Sequence, residues 1–158
     1  MVLHTLTDKL AFKSRLRAHC LALIQQRIDT ATAAMEQAQE SANSEDKSSA
    51  GDKYETGRAM SHIERDNYAY QLSVAIDDRN QFLGIDCEKQ YDKAENGAII
   101  SGGDVLYFIA TGLGVMTFEG LKVVALSPKA PLSGLLRGKS KGDTVTLNGK
   151  ALILSDIF

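Results

Sequence analysis

From Leu21 to Ala42 the apolar side chains recur at alternating intervals of three and four: Leu21, Ile24, Ile28, Ala31, Met35, Ala38, Ala42. That is the seam of a helix lying lengthwise on another helix. It excludes a strand, which would need alternation by two. Residues 6–42 contain neither Pro nor Gly, so nothing interrupts the helix. Leu10, Leu16 and Cys20 extend its apolar face toward the N-terminus, less regularly.

The pattern lapses over "NSEDKSSAG", where Ser, Asn, Asp and Gly are turn residues. It resumes with Met60, Ile63, Tyr70 and Val74 on one face and Ala69, Leu72, Ile76 and Leu83 beside it. Asn67 interrupts this stripe, and a single polar seam residue is a known way to fix register. Two such helices joined by a short loop fold back as an antiparallel hairpin reaching ~45 Å at 1.5 Å per residue. The two stripes are expected to bury against each other, leaving the hairpin as a projecting coiled-coil arm.

Near Gly84 the period changes. "IDCEKQYDKAENG" is a charged connector, and "AIIS", "DVLYFIA", "LKVVALS", "DTVTLN" and "KALILSDIF" follow as β-branched and aromatic runs punctuated by glycines. Asn148-Gly149 between two of them is a two-residue hairpin signal. Pro131 opens the short helical "PLSGLL", where its missing N–H costs nothing. The expectation is an α+β chain: a helical hairpin over 1–84 with its tip at about 44–55, a connector over 85–96, and over 97–158 a small antiparallel sheet with one short helix.

At 158 residues the chain can bury a core without staples. Its net charge of −2 conceals an asymmetry, −4 over residues 1–96 and +2 over 97–158. An acidic first part argues against wrapping nucleic acid, which needs clustered Lys and Arg. Cys20, Cys87, His4, His19 and His62 are dispersed, with no metal or redox spacing. No apolar run reaches the roughly 20 residues of a membrane span, and no signal peptide opens the sequence, so a cytoplasmic location is expected.

Two motifs fail on inspection. "GLLRGKS", Gly134–Ser140, has three residues between its glycines where a P-loop has four, and no strand precedes it. "GLG" at Gly112–Gly114 lacks the third glycine of a dinucleotide fingerprint, with Thr117 in its place. Ser133 lies in no nucleophile elbow. The remaining feature is "GDKYE", which sets Asp52 and Glu55 three residues apart where helix resumes. One reading is structural: Asp52 caps the helix and Glu55 reaches back, worth ~1 kcal/mol. The other is a pair of carboxylates held out for chemistry.

Ser127-Pro128, Leu132, Leu135-Leu136, Gly138-Lys139 and Gly142-Asp143, followed by two closing strands, together with Gly51-Asp52-Lys53-Tyr54-Glu55 at the hairpin tip, resemble the bacterial Gre transcript-cleavage factors. The resemblance implies an FKBP-like C-terminal domain and RNA polymerase as partner. It implies that Asp52 and Glu55 enter the polymerase secondary channel and hold the second Mg²⁺ of its active centre, so that a backtracked RNA 3′ end is cut. The chain would then be no enzyme and carry no cofactor of its own, sharing Mg²⁺ with polymerase and acting as a monomer. Glu45, Asp46, Tyr54 and Arg58 are further tip candidates, although Arg58 could simply pair with Glu55. Arg137, Lys139 and Lys141 are candidates for polymerase docking.

After Glu55 the chain reads Thr56-Gly57-Arg58-Ala59 where the family has Asn-Ala-Glu-Tyr. The alternative is therefore a non-cleaving relative that occupies the same channel and modulates initiation or pausing. A third class, prolyl isomerisation, would need an aromatic-lined pocket built from Tyr107, Phe108, Phe118 and Phe158.

Overall fold

The computed structural model describes the backbone over 5–45 and 51–158, and side chains over 5–44 and 55–158. Two long helices, α1 (Leu6–Glu45) and α2 (Gly51–Leu83), precede strands β1 (Ile99–Gly102), β2 (Val105–Ile109), β3 (Gly114–Phe118) and β4 (Leu121–Leu126). Helix α3 (Pro131–Leu136) and strands β5 (Thr144–Leu147) and β6 (Lys150–Ile157) complete the chain. The α+β class is as expected. None of the helices is long and apolar enough over the described residues to cross a membrane.

Packing divides the chain into two compact units, Ala22–Asn80 and a second formed by residues up to Leu21 together with Gln81–Phe158. The change of period at the connector marks where local structure changes. The division by packing falls inside the two helices instead.

In the helical unit, α1 buries Ile24, Ile28, Ala31, Ala38 and Ala42 as its spacing predicts. Arg65 Nη1 donates to Gln39 Oε1 at 3.0 Å and Arg79 Nη1 to Gln25 Oε1 at 3.3 Å. These pairs lie two heptads apart in both helices, in opposite chain directions, so the hairpin is antiparallel. Of the two expected stripes of α2, the flanking one that carries Leu72 and Ile76 is the one that turns inward. Ala75 is buried and Tyr68, Leu72 and Ile76 are half-buried, whereas Met60, Ile63, Tyr70 and Val74 are exposed. Arg65 and Arg79 occupy seam positions because their long aliphatic stems cover apolar surface while the guanidinium reaches a polar partner on α1.

The other unit is built on one six-stranded sheet ordered β3-β4-β2-β1-β6-β5. The sheet is mixed, which corrects the antiparallel expectation: β2 and β4 pair in parallel from Val105↔Lys122 to Ile109↔Leu126. The physical reason is that β3 does not fold back on β2. It takes the sheet edge, and the β3–β4 hairpin places β4 between them. As central strand, β2 is buried on both faces from Leu106 to Ile109, so its sequence carries no alternation to read.

One sheet face packs Ile100, Tyr107, Ile109, Val145, Leu154 and Ile157 with Leu136 of α3 and with Tyr91 and Ala94 of the connector. On the other, Phe82 meets Phe108 edge-on at 6.0 Å between ring centroids, and Phe12 meets Phe118 at 5.6 Å. The first turns of α1 thus bury Phe12, Leu16 and Cys20 in the sheet unit. The expectation that the helical stripes bury only against each other fails for this segment. Reciprocal bonds start α1: Asp8 N donates to Thr5 Oγ1 at 3.0 Å and Thr5 N to Asp8 Oδ2 at 3.1 Å, a capping box in which Asp plays the part of Glu.

Two turns have both central residues at positive φ, as right-twisted hairpins require. Asn148-Gly149 was legible in the sequence. Glu119-Gly120 was not, because Glu seldom adopts φ 50°. Arg15 holds it from α1, with Nε 2.6 Å from Oε1 and Nη2 2.9 Å from Oε2. The hydrogen bond from Arg15 keeps the Glu119 carboxyl below its ordinary range.

Gly97, at φ 95°, donates its N–H to Ile109 O at 2.7 Å, and a Cβ there would collide with the Tyr91 hydroxyl. Gly97→Ala is expected to cost more than about 1 kcal/mol, read from the urea midpoint. An unchanged midpoint would show that neither the left-handed backbone nor the tyrosine constrains this position.

Candidate functional site

The tip residues fall at the edge of what is described. Asp46 lies outside the described residues, and only the backbone is described for Glu45, Asp52 and Tyr54. Helix α2 begins at Gly51, so Asp52 stands inside its first turn and the N-cap position precedes it. The capping reading needs Asp52 two positions earlier. Three residues apart on one helix, Asp52 and Glu55 share a face, and Glu55 is exposed. Negative charge near a helix start is favoured by the unpaired N–H groups and the helix dipole, so Asp52 in the first turn and Glu55 just beyond it cost the fold little. Arg58 is exposed and has an interaction partner.

Two carboxylates from one helical turn can supply two oxygens to a hard divalent cation, which takes the rest of its shell from water or phosphate. Among the described residues no group of three or more His, Cys, Asp or Glu converges on one point. That fits a pair completing a site on another molecule as well as it fits plain surface acids.

The three basic candidates lie around the loop after α3. Arg137 Nη2 donates to Pro128 O at 2.9 Å and to Asn96 Oδ1 at 3.3 Å, tying the connector to the turn before α3. Lys141 lies 3.7 Å from Asp156, and Lys139 uses its carbonyl to accept from Ala94 N. Arg137 therefore has a structural task, while the Lys141 side chain stays largely in solvent.

The aromatic residues weighed for a prolyl-isomerase pocket are spent in packing. Tyr107, Phe108 and Phe158 are buried, and Phe118 stacks between Phe12 and His19. The cleft lined by Gln81, Ile85, Asp86, Lys89, Tyr91 and Asn96 has Tyr91 as its one aromatic. Ser133 is buried with its hydroxyl donating to Ser127 O at 2.7 Å, a structural role.

Sequence reasoning missed Lys13. It is fully buried, its Nζ donates to Phe158 O at 3.2 Å, and the ammonium sits 4.0 Å from the Tyr91 ring centroid. Burial pulls its pKa down to about 8, partly opposed by Cys87 and Asp86. The signal was its place between Leu10 and Leu16 at helical spacing, on the apolar face. Cys20 and Cys87 are buried free thiols, and burial pushes Cys20 up to about 12, which keeps it protonated and inert.

A scan against protein-family models, a search of curated proteins and a search of solved structures each found no match to this chain.

Proposed function

We propose that this protein is a transcription factor that binds RNA polymerase, inserts its acidic-tipped helical hairpin into the secondary channel and stimulates cleavage of backtracked RNA. The observation that carries the reading is that Asp52 and Glu55 stand three residues apart on one face at the start of α2, at the end of a long antiparallel hairpin. The resemblance of the 127–143 segment to the Gre factors supports it, and on this reading the sheet unit is FKBP-like. Arg137, Lys139 and Lys141 then face polymerase, with Arg137 also bracing its own loop.

The Asp52 and Glu55 carboxylates complete the shell of an Mg²⁺ that polymerase binds weakly by itself. A second metal so held stabilises the attacking and leaving oxygens of phosphodiester hydrolysis. The chain contributes position and charge, and the reacting groups belong to polymerase. On this reading Tyr54 and Arg58 meet the RNA 3′ end, and Glu45 and Asp46 add negative charge.

The test is a stalled, backtracked elongation complex supplied with Mg²⁺ and this protein, scored by release of short 3′ RNA fragments. Wild type is expected to accelerate release. Asp52→Asn/Glu55→Gln is expected to compete for polymerase as wild type does and to lose the acceleration. If both proteins bind and neither accelerates cleavage, the chain is the channel-occupying regulator of initiation or pausing. Failure of both to bind polymerase would remove the reading altogether.

A further inference from the structure

Among the described residues, every large apolar side chain exposed in the Ala22–Asn80 unit lies on one stripe of α2: Met60 and Ile63, each 60% exposed, Tyr70 at 71% and Val74 at 41%. With exposed Asn67 between them, the spacing is three, four, three, four. This is a second heptad seam on nearly the opposite side of α2 from the one that Arg65, Leu72, Ala75 and Arg79 turn toward α1. A seam this narrow and regular fits another helix, since a globular contact would not impose the 3.5-residue period.

What the partner helix must offer is set by Asn67. Met60, Asn67 and Val74 occupy equivalent heptad positions, with Ile63 and Tyr70 at the other core position. An apolar residue opposite Asn67 would bury its amide unpaired, which is costly. A second copy of the same seam, aligned in parallel, sets Asn67 against its own equivalent, where the two amides bond each other. An antiparallel copy sets Asn67 against Ile63 or Tyr70.

The flanking charges agree. In the parallel pairing the positions that meet across the seam are Ala59 with Glu64, Asp66 with Gln71, and Ser73 with Asp78, so no two like charges oppose. In the antiparallel pairing Asp66 falls near its own copy. We infer that the Met60–Val74 face of α2 is a homodimerisation seam, pairing two chains in parallel with Asn67 opposite Asn67. Four apolar side chains per chain fall short of the roughly 1,200 Å² of a stable interface, so the association is weak and reversible. It departs from the expected monomer only at high concentration.

The experiment is sedimentation equilibrium on the full chain, from low micromolar to millimolar concentration and without polymerase, so that it stands apart from the cleavage reading. Wild type is expected to pass from monomer to dimer within that range. Ile63→Glu is expected to stay monomeric throughout. Asn67→Leu, which removes the buried amide, is expected to associate at least ~10-fold more tightly, with species above dimer. Circular dichroism of both variants, which alter only exposed positions, is expected to match wild type. A wild type that remains monomeric at millimolar concentration overturns the inference, as does association that Ile63→Glu leaves intact or Asn67→Leu leaves unchanged. A monomer whose polymerase binding is lost in Ile63→Glu would assign the stripe to polymerase instead.

Discussion

Phe82→Ala is expected to destabilise the sheet unit by about 3–5 kcal/mol. The ring is fully buried in the last turn of α2 and stands edge-on to Phe108 of the central strand, at an interplanar angle of 79°. Truncation removes the transfer energy of the ring and leaves a cavity whose walls, Phe108 among them, belong to a sheet that cannot collapse into it. The quadrupolar contact is lost as well. Tyr70→Ala serves as the control: it removes an aromatic side chain of comparable size from the same helix, and at 71% exposure it should shift stability by no more than about 0.5 kcal/mol. Urea unfolding followed by circular dichroism measures both. A Phe82→Ala loss below about 1 kcal/mol would mean that the helix end and the sheet do not share a core.

Lys13→Met is expected to stabilise the protein at neutral pH by about 2–3 kcal/mol. The lysine pKa falls from 10.5 to about 8 because burial penalises the ammonium more than nearby Asp86, Glu95 and Cys87 favour it. A displacement of that size corresponds to about 3 kcal/mol between the charged and neutral forms. Methionine keeps the length of the stem without the charge. The Phe158 carbonyl that loses the ammonium still accepts from Ile99 N at 2.7 Å.

The sign of the pH dependence follows. Between about pH 8 and 10.5 the unfolded chain holds a proton on Lys13 that the folded chain has released, so this group's contribution to stability rises with pH across that window. The advantage of Lys13→Met should therefore be full below about pH 8 and shrink above it. Burial raises the pKa of Cys20, Cys87, Tyr91 and Tyr107, which makes the folded state lose stability as pH rises. Taking the difference between variant and wild type largely removes that opposing trend. A variant less stable than wild type at pH 7 would show that the cation–π contact with Tyr91 outweighs the cost of burial.

The sequence made α1 legible because its seam is apolar without exception and no Gly or Pro interrupts it. In α2 the spacing marked two stripes, and of these the flanking one, with Ala69, Leu72 and Ile76, is the one that turns inward. Two inward positions are arginines that count as polar in any tally, while the exposed stripe of Met60, Ile63, Tyr70 and Val74 is as regular in its apolar spacing as the inward one. Periodicity reports that a helix has an apolar face and does not say which face meets its neighbour. Strand positions were visible in the β-branched runs and in Asn148-Gly149. Strand order was not, because the parallel β2–β4 pairing depends on where β3 goes after Thr111, and no local residue pattern encodes that. Lys13 was hidden because its burial depends on Tyr91 and Phe158, remote in sequence. Of the candidate site, Asp52 and Glu55 could be placed on one helical turn from residue order alone. Their chemistry, as proposed, is completed by another molecule, so this chain holds only part of it.

The sheet unit draws its residues from both sides of Ala22–Asn80, which has a consequence for how the chain finds its fold. Bringing Leu21 and Gln81 together across a flexible span of about 60 residues would cost about 4 kcal/mol in loop-closure entropy before any contact repaid it. A hairpin spreads that cost, because each turn of α1 that zips onto α2 leaves only a short loop for the next. Arg17, which donates to Leu83 O at 3.2 Å, stands where the zipper runs out. The hairpin can thus act first as a tether that delivers Phe12 and Phe82 to the same neighbourhood. A cut within it would leave β1 to β6 waiting on an encounter between two separate chains.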